Sequence, residues 1–66
     1  MHITLNGLKH GVAAPATLAD LLVQLSLDSR QVVVELNREI VRRPRLAETA
    51  LADGDTVELV HFVGGG

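Results

Sequence analysis

The chain has 66 residues, 47% of them apolar, with eight acidic against six basic side chains, a net charge of −2 and no cysteine. That length makes one small domain, which buries only ~60% of its unfolded surface, and the apolar share argues against disorder. The missing cysteines exclude a disulfide framework, thiolate zinc sites and thiol nucleophiles, while the absence of a basic surface and of stacking aromatics beyond Phe62 argues against nucleic-acid binding.

Met1, Ile3 and Leu5 alternate with His2 and Thr4, the period of a half-buried strand. This alternation is not a basic region followed by an apolar one, so no signal peptide is expected. Apolar runs are also far short of the ~20 residues that span a bilayer. Asn6-Gly7 is a strong hairpin signal, because a type I′ turn needs positive φ at both central residues. Leu8 to Ala13 reads as the returning strand, with Gly11 a point of bulging or early fraying. Pro15-Ala16-Thr17 leads into a helix, with Thr17 as N-cap and Asp20 completing a capping-box pattern at the positive end of the helix dipole. Leu18, Leu21, Leu22 and Leu25 form one helical stripe, and the helix is expected to end near Ser26. Gln31 to Asn37 reads as a β-branched strand whose Val32, Val34 and Leu36 share the inner face. Asn37-Arg38 turns into a short strand, Glu39-Ile40-Val41. Pro44 interrupts regular structure, and Leu46, Ala47, Ala50 and Leu51 suggest a helical turn or two. Asp53-Gly54-Asp55 is a turn, and Thr56 to Val63 is the last strand.

This order predicts an α+β domain with a mixed sheet of four to five strands and one main helix packed across it. The first and last strands can lie side by side and parallel in the middle of the sheet, which describes the β-grasp (ubiquitin-like) fold. The domain is expected over residues 1–63, with 64–66 as a flexible glycine tail.

The chain carries no phosphate-binding glycine loop and no dinucleotide fingerprint. His2, His10 and His61 lie in different segments without metal-ligand spacing, so structural roles are expected for them and no metal site. Ser26 and Ser29 read as cap and turn residues, having no nucleophile-elbow context. Arg42, Arg43 and Arg45 form one positive cluster, either a solvated loop or a docking contact. Asp20, Glu35, Glu58 and the Asp53/Asp55 turn are candidates for an acidic surface. If Val57 and Leu59 face the helix, then Glu58, Val60 and Phe62 face away, on a sheet face that no second helix covers. Val60 and Phe62 then form a partner interface beside the tail; the other reading folds Phe62 back into the core. Gly64-Gly65-Gly66 is narrow and conformationally free, suited to threading into another protein's active site, or else a frayed end or linker remnant.

Taken together these residues resemble the ThiS-type sulfur carrier proteins of bacterial thiamine biosynthesis, small β-grasp proteins related to ubiquitin. The resemblance is carried by Ile3-Thr4-Leu5-Asn6-Gly7, Thr17-Leu18-Ala19-Asp20-Leu21-Leu22 and Val32-Val33-Val34-Glu35-Leu36-Asn37. It continues through Ile40-Val41 with Arg43-Pro44-Arg45, Asp53-Gly54-Asp55, and Val60-His61-Phe62-Val63-Gly64-Gly65-Gly66. It implies a cytoplasmic protein co-substrate with no catalytic residues and no bound cofactor. A ThiF-type adenylyltransferase, related to ubiquitin E1, uses ATP to adenylate the C-terminal carboxylate, here that of Gly66. Sulfur derived from a cysteine desulfurase converts the adenylate to a thiocarboxylate, and a ThiG-type thiazole synthase takes that sulfur. Gly65 is the other member of the family's terminal pair, and Gly64 extends the reach. Two other readings remain: a MoaD-type carrier for molybdopterin synthesis or another ubiquitin-like modifier, and a non-covalent β-grasp binding module.

Overall fold

The computed structural model of the chain describes residues 1–62. Among them, β1 (His2–Leu5), β2 (Leu8–Gly11), β3 (Val32–Leu36), β4 (Glu39–Val41) and β5 (Thr56–His61) form one mixed sheet in the order β2-β1-β5-β3-β4. One α-helix, α1 (Leu18–Gln24), packs on it, and 3-10 segments occupy Ser29–Gln31 and Arg43–Glu48. β1 and β5 run parallel in the middle, and every other pairing is antiparallel. This is the β-grasp architecture expected from the order of elements.

The two hairpins turn where the sequence places asparagine. Asn6 and Gly7 have φ of 49° and 83°, and Asn37 and Arg38 have 51° and 72°, the left-handed angles that match the twist of the flanking strands. Both asparagines then reach across to β5. The Asn6 Oδ1 accepts from the Leu59 N–H at 2.7 Å, and the Asn37 Oδ1 accepts from the Thr56 N–H at 3.0 Å.

A helix of seven residues cannot persist alone, so α1 depends on its cap and its apolar face. The capping box is complete: the Asp20 N–H donates to Thr17 Oγ1 at 3.1 Å, and the Thr17 N–H donates to Asp20 Oδ2 at 2.9 Å. Leu18, Leu21 and Leu22 are buried against Ile3, Val34 and Val57, with Leu25 half-buried at the margin. Each such leucine contributes roughly 1.5–3 kcal/mol relative to exposure. The remainder of the core comes from Val12, Ala16, Val32, Leu46 and Leu51.

Three local expectations shift. β2 stops at Gly11 rather than Ala13, although the hydrogen bonding continues one pair further: the Val12 N–H donates to the Met1 carbonyl and the Met1 amino group to the Val12 carbonyl, both at 2.9 Å. The helix also stops at Gln24, short of Ser26, which has φ of 57° in the turn that follows. Pro44 does not break the structure but sits second in the 3-10 segment, in its first turn, where its missing N–H would have no partner anyway. The chain after it is extended, with the Leu18 N–H on the Thr49 carbonyl (3.0 Å) and the Leu51 N–H on that of Ala16 (2.9 Å). A helical face of four residues therefore reduces to Leu46 and Leu51, and Ala47 and Ala50 are exposed.

Candidate functional site at the end of the central strand

Strand alternation sorts β5 into two faces. Val57 is fully buried beneath α1 and Leu59 packs half-buried beside it, while Glu58 and Val60 point to the opposite face. Cross-strand register extends that outer face. Val33 pairs with Val60, Glu35 with Glu58, and Ile40 with Glu35. Val60 is 54% exposed, Phe62 43% and Ile40 67%. Phe62 therefore does not fold back into the core. The face that no helix covers carries an apolar patch, and Ile40 belongs to it although the sequence reading omitted it. Glu39-Ile40-Val41 reads as a strand in the sequence, but only the pairing of Val41 with Val34 tells which way Ile40 points.

The two carboxylates in this face lie directly opposite one another, an arrangement that costs stability through like-charge repulsion. Neither Glu35 nor Glu58 forms an ion pair among the described residues. The other candidates for an acidic surface are engaged within the fold. Asp20 caps α1. Asp53 Oδ1 accepts from the His2 N–H at 2.8 Å, and Asp55 accepts from the Ala52 N–H at 2.8 Å and from Asn37 Nδ2 at 3.2 Å. In the basic cluster, Arg45 Nε pairs with Glu48 Oε1 at 2.7 Å, and Arg42 and Arg43 are exposed.

At its far end the central strand remains bound to its neighbour: the Phe62 N–H donates to the Gln31 carbonyl at 3.1 Å. Gln31 closes the 3-10 segment that Asp28 caps, so the strand leaves the sheet next to an ion pair. Asp28 Oδ1 accepts from the Arg30 N–H (2.9 Å) and Nε (3.1 Å), and its Oδ2 accepts from Nη2 (2.8 Å). These bonds favour the ionised carboxyl. The Arg30 side chain first, and its backbone N–H second, hold Asp28 down at about 2, with smaller pulls from the Arg30 and Arg43 charges. The same side-chain bond raises Arg30.

No group of three or more potential metal ligands occurs among the described residues. His10 Nε2 lies 3.2 Å from Gln24 Oε1, linking β2 to α1. Ser29 opens the 3-10 segment, and Ser26 occupies the turn after α1. No helix among the described residues is long and apolar enough to cross a membrane. The boundary expected after Val63 and the tail Gly64, Gly65 and Gly66 lie outside the described residues.

A small mixed sheet with one helix serves many functions, so the comparison with known proteins decides the family. The ThiS family model matches residues 3–66, which takes in the sheet from Ile3 onward and the terminal glycines. The chain belongs to the ThiS family. Among its ThiS-family relatives, the sulfur carrier protein ThiS of Bacillus subtilis is 48% identical over 50 residues, covering 76% of each chain. The crystal structure of a thiamine biosynthesis protein (ThiS) from Geobacter metallireducens superposes with a TM-score of 0.85 at 38% identity, covering all of both chains. A thiazole synthase of Paramagnetospirillum magneticum is 44% identical over all 66 residues, and the chain spans 20% of that protein's length.

Proposed function

We propose that the chain is a cytoplasmic sulfur carrier of thiamine biosynthesis that works through its C-terminal glycine. The observation that carries this reading is the family match over residues 3–66, which includes Gly65 and Gly66. A carboxylate is a poor electrophile. A ThiF-type enzyme joins the Gly66 carboxylate to the adenylyl group of ATP with release of pyrophosphate; persulfide sulfur from a cysteine-desulfurase route then displaces AMP to give an acyl disulfide, and a thiol reductant cleaves its S–S bond, leaving the thiocarboxylate and a disulfide. A ThiG-type thiazole synthase then accepts the sulfur. The chain is a co-substrate in these steps, and ATP belongs to the activating enzyme.

Two observations support the assignment of partners and surface. A thiazole synthase of Paramagnetospirillum magneticum contains a stretch similar to this entire chain, which favours a ThiG-type partner. Val60 and Phe62 present exposed apolar area on the strand that leads to the glycines, which favours docking on that face. Three extended glycines reach about 10 Å, enough to pass a carboxylate into a recessed site while the folded body stays outside.

The test is reconstitution with a ThiF-type enzyme, ATP and sulfide, read by intact mass as the replacement of one carboxylate oxygen by sulfur. Gly65→Val is expected to fold as the parent does and to fail conversion. Normal conversion of that variant would refute threading, and no conversion of the parent chain would refute the carrier reading in favour of a non-covalent binding module.

A further inference from the structure

The central strand is flanked unevenly. On the β3 side its pairing runs from Val57–Leu36 to Val32–His61 and continues with the Phe62 N–H on Gln31. On the β1 side the register ends at Leu5–Val57, because Asn6-Gly7 turns the chain out of line. The Asn6 side chain substitutes for the missing strand at one position, accepting from the Leu59 N–H. Main-chain groups alternate sides along a strand. Phe62 bonds toward β3, so the Leu59 C=O and the His61 N–H point toward the vacant side. Neither has a hydrogen-bond partner among the described residues.

Open edges invite pairing with other chains, and proteins usually guard them with lysine, proline, charge or brevity. The outer edges of this sheet follow that rule: β2 carries Lys9, and β4 is three residues long and begins at Glu39. The stretch Leu59-Val60-His61 carries neither lysine nor proline, and Val60 and Phe62 expose apolar surface beside it. It is also held straight by its ladder to β3, so a partner would not have to order it.

We propose that the open edge of β5 at Leu59–His61 is a strand-addition site, and that its occupant is an extended segment of the thiazole synthase that receives the tail. The inference rests on the reading that a ThiG-type protein is the partner. The chemistry favours a main chain over a side chain as occupant, because a C=O followed two residues on by an N–H at strand spacing is what an extended peptide matches. A segment paired here runs alongside the last residues of β5, so main-chain bonds fix the direction in which that strand end meets the partner.

The experiment uses the full chain and the purified thiazole synthase of its source organism. His61→Pro deletes the unpaired N–H without touching the bonds to β3, and His61→Ala removes the side chain while keeping the N–H. His61→Ala is expected to bind within about twofold of the parent, and His61→Pro to bind about tenfold or more weakly, since a partner carbonyl loses its donor. Hydrogen exchange on the unmodified chain provides the second measurement: the His61 amide is expected to exchange fast alone and slowly in the complex. Equal binding by the two variants, or a fast His61 amide in the complex, overturns the edge proposal. Should His61→Pro fail to fold, the exchange measurement decides by itself. Absence of any complex with the parent chain removes the synthase reading and this proposal together. A complex weakened by Phe62→Asp but with an unprotected His61 amide removes only the edge. Slow exchange of His61 in the isolated chain, rising with concentration alongside a dimer in sedimentation, assigns the edge to a second copy and also overturns the proposal.

Discussion

Asn6 performs two tasks that substitution can separate. It holds φ of 49° at the first position of the hairpin turn, and its Oδ1 accepts from the Leu59 N–H at 2.7 Å. Alanine loses both: the left-handed angle costs it about 1–2 kcal/mol, and the hydrogen bond, exposed enough for water to replace in part, about 0.5–1 kcal/mol. Asn6→Ala should therefore destabilise by roughly 2 kcal/mol, a large share of the approximately 3–10 kcal/mol available to a domain of this size. Asn6→Gly relaxes the backbone but not the bond and should lose about 1 kcal/mol. Asn6→Asp keeps both the acceptor and the tolerance for positive φ and should lose least. With no Trp or Tyr in the chain, the assay is urea unfolding followed by far-ultraviolet circular dichroism. At a slope near 1 kcal/mol/M, the alanine variant's midpoint should fall by about 2 M. Exchange of the Leu59 amide should accelerate in the alanine and glycine variants alone. Equal midpoints for Ala and Asp, or for Ala and Gly, would refute this division of labour.

Thr17→Ala removes one half of the capping box and should cost about 1 kcal/mol in urea unfolding, with Thr17→Ser close to the parent. Arg38 sits at φ of 72° without the freedom of glycine, so Arg38→Gly should raise stability by about 0.5–1 kcal/mol in urea unfolding; a loss would show that its side chain matters more than its backbone. Asp28 titrates at about 2 against an ordinary 3.8. Because the folded value is the lower one, its contribution is fully present above the unfolded value and is lost as pH falls from 3.8 through about 2. Carbon-detected NMR titration should show this low midpoint, and Arg30→Ala should move it back up.

The parts of the fold that could be read from the sequence are those whose causes are local. Thr17 and Asp20 lie three apart before a leucine stripe, and the hydrogen bonds they form follow from that spacing. Asn6-Gly7 needs only its own backbone preferences, and the alternation in Ile3, Val34 and Val57 needs only a period of two. The remainder depends on partners distant in sequence. Ile40 faces outward because Val41 meets Val34, and nothing within Glu39-Ile40-Val41 encodes that register. The same holds for the acidic residues: as letters, Asp20, Glu35, Asp53, Asp55 and Glu58 are equivalent. Only the fold shows that three of them bond to main chain or to Asn37 while Glu35 and Glu58 confront each other.

The two asparagine turns bear on how the strand that leads to the glycines is held. Asn6 and Asn37 come from different hairpins, at opposite ends of the chain's first and second strand pairs, yet both place an oxygen on a β5 amide, at Leu59 and Thr56. Between those points the strand is also bonded to β3, and Val57 is fully buried beneath the helix. A pull on the last residues is thus resisted in shear by a ladder that extends to Phe62 on one side. Local opening from the strand end would have to break the Gln31 bond and then the Val33–Val60 pair before it reached the core. Under the proposed function, in which the terminus is handed to other proteins, that order of failure lets the outer bonds yield while Val57 stays seated. It also accounts for a central strand that outruns β1: beyond the Leu5–Val57 pair Leu59 still packs half-buried against the core, while Val60 and His61 continue the ladder to β3 with the β1 side left open.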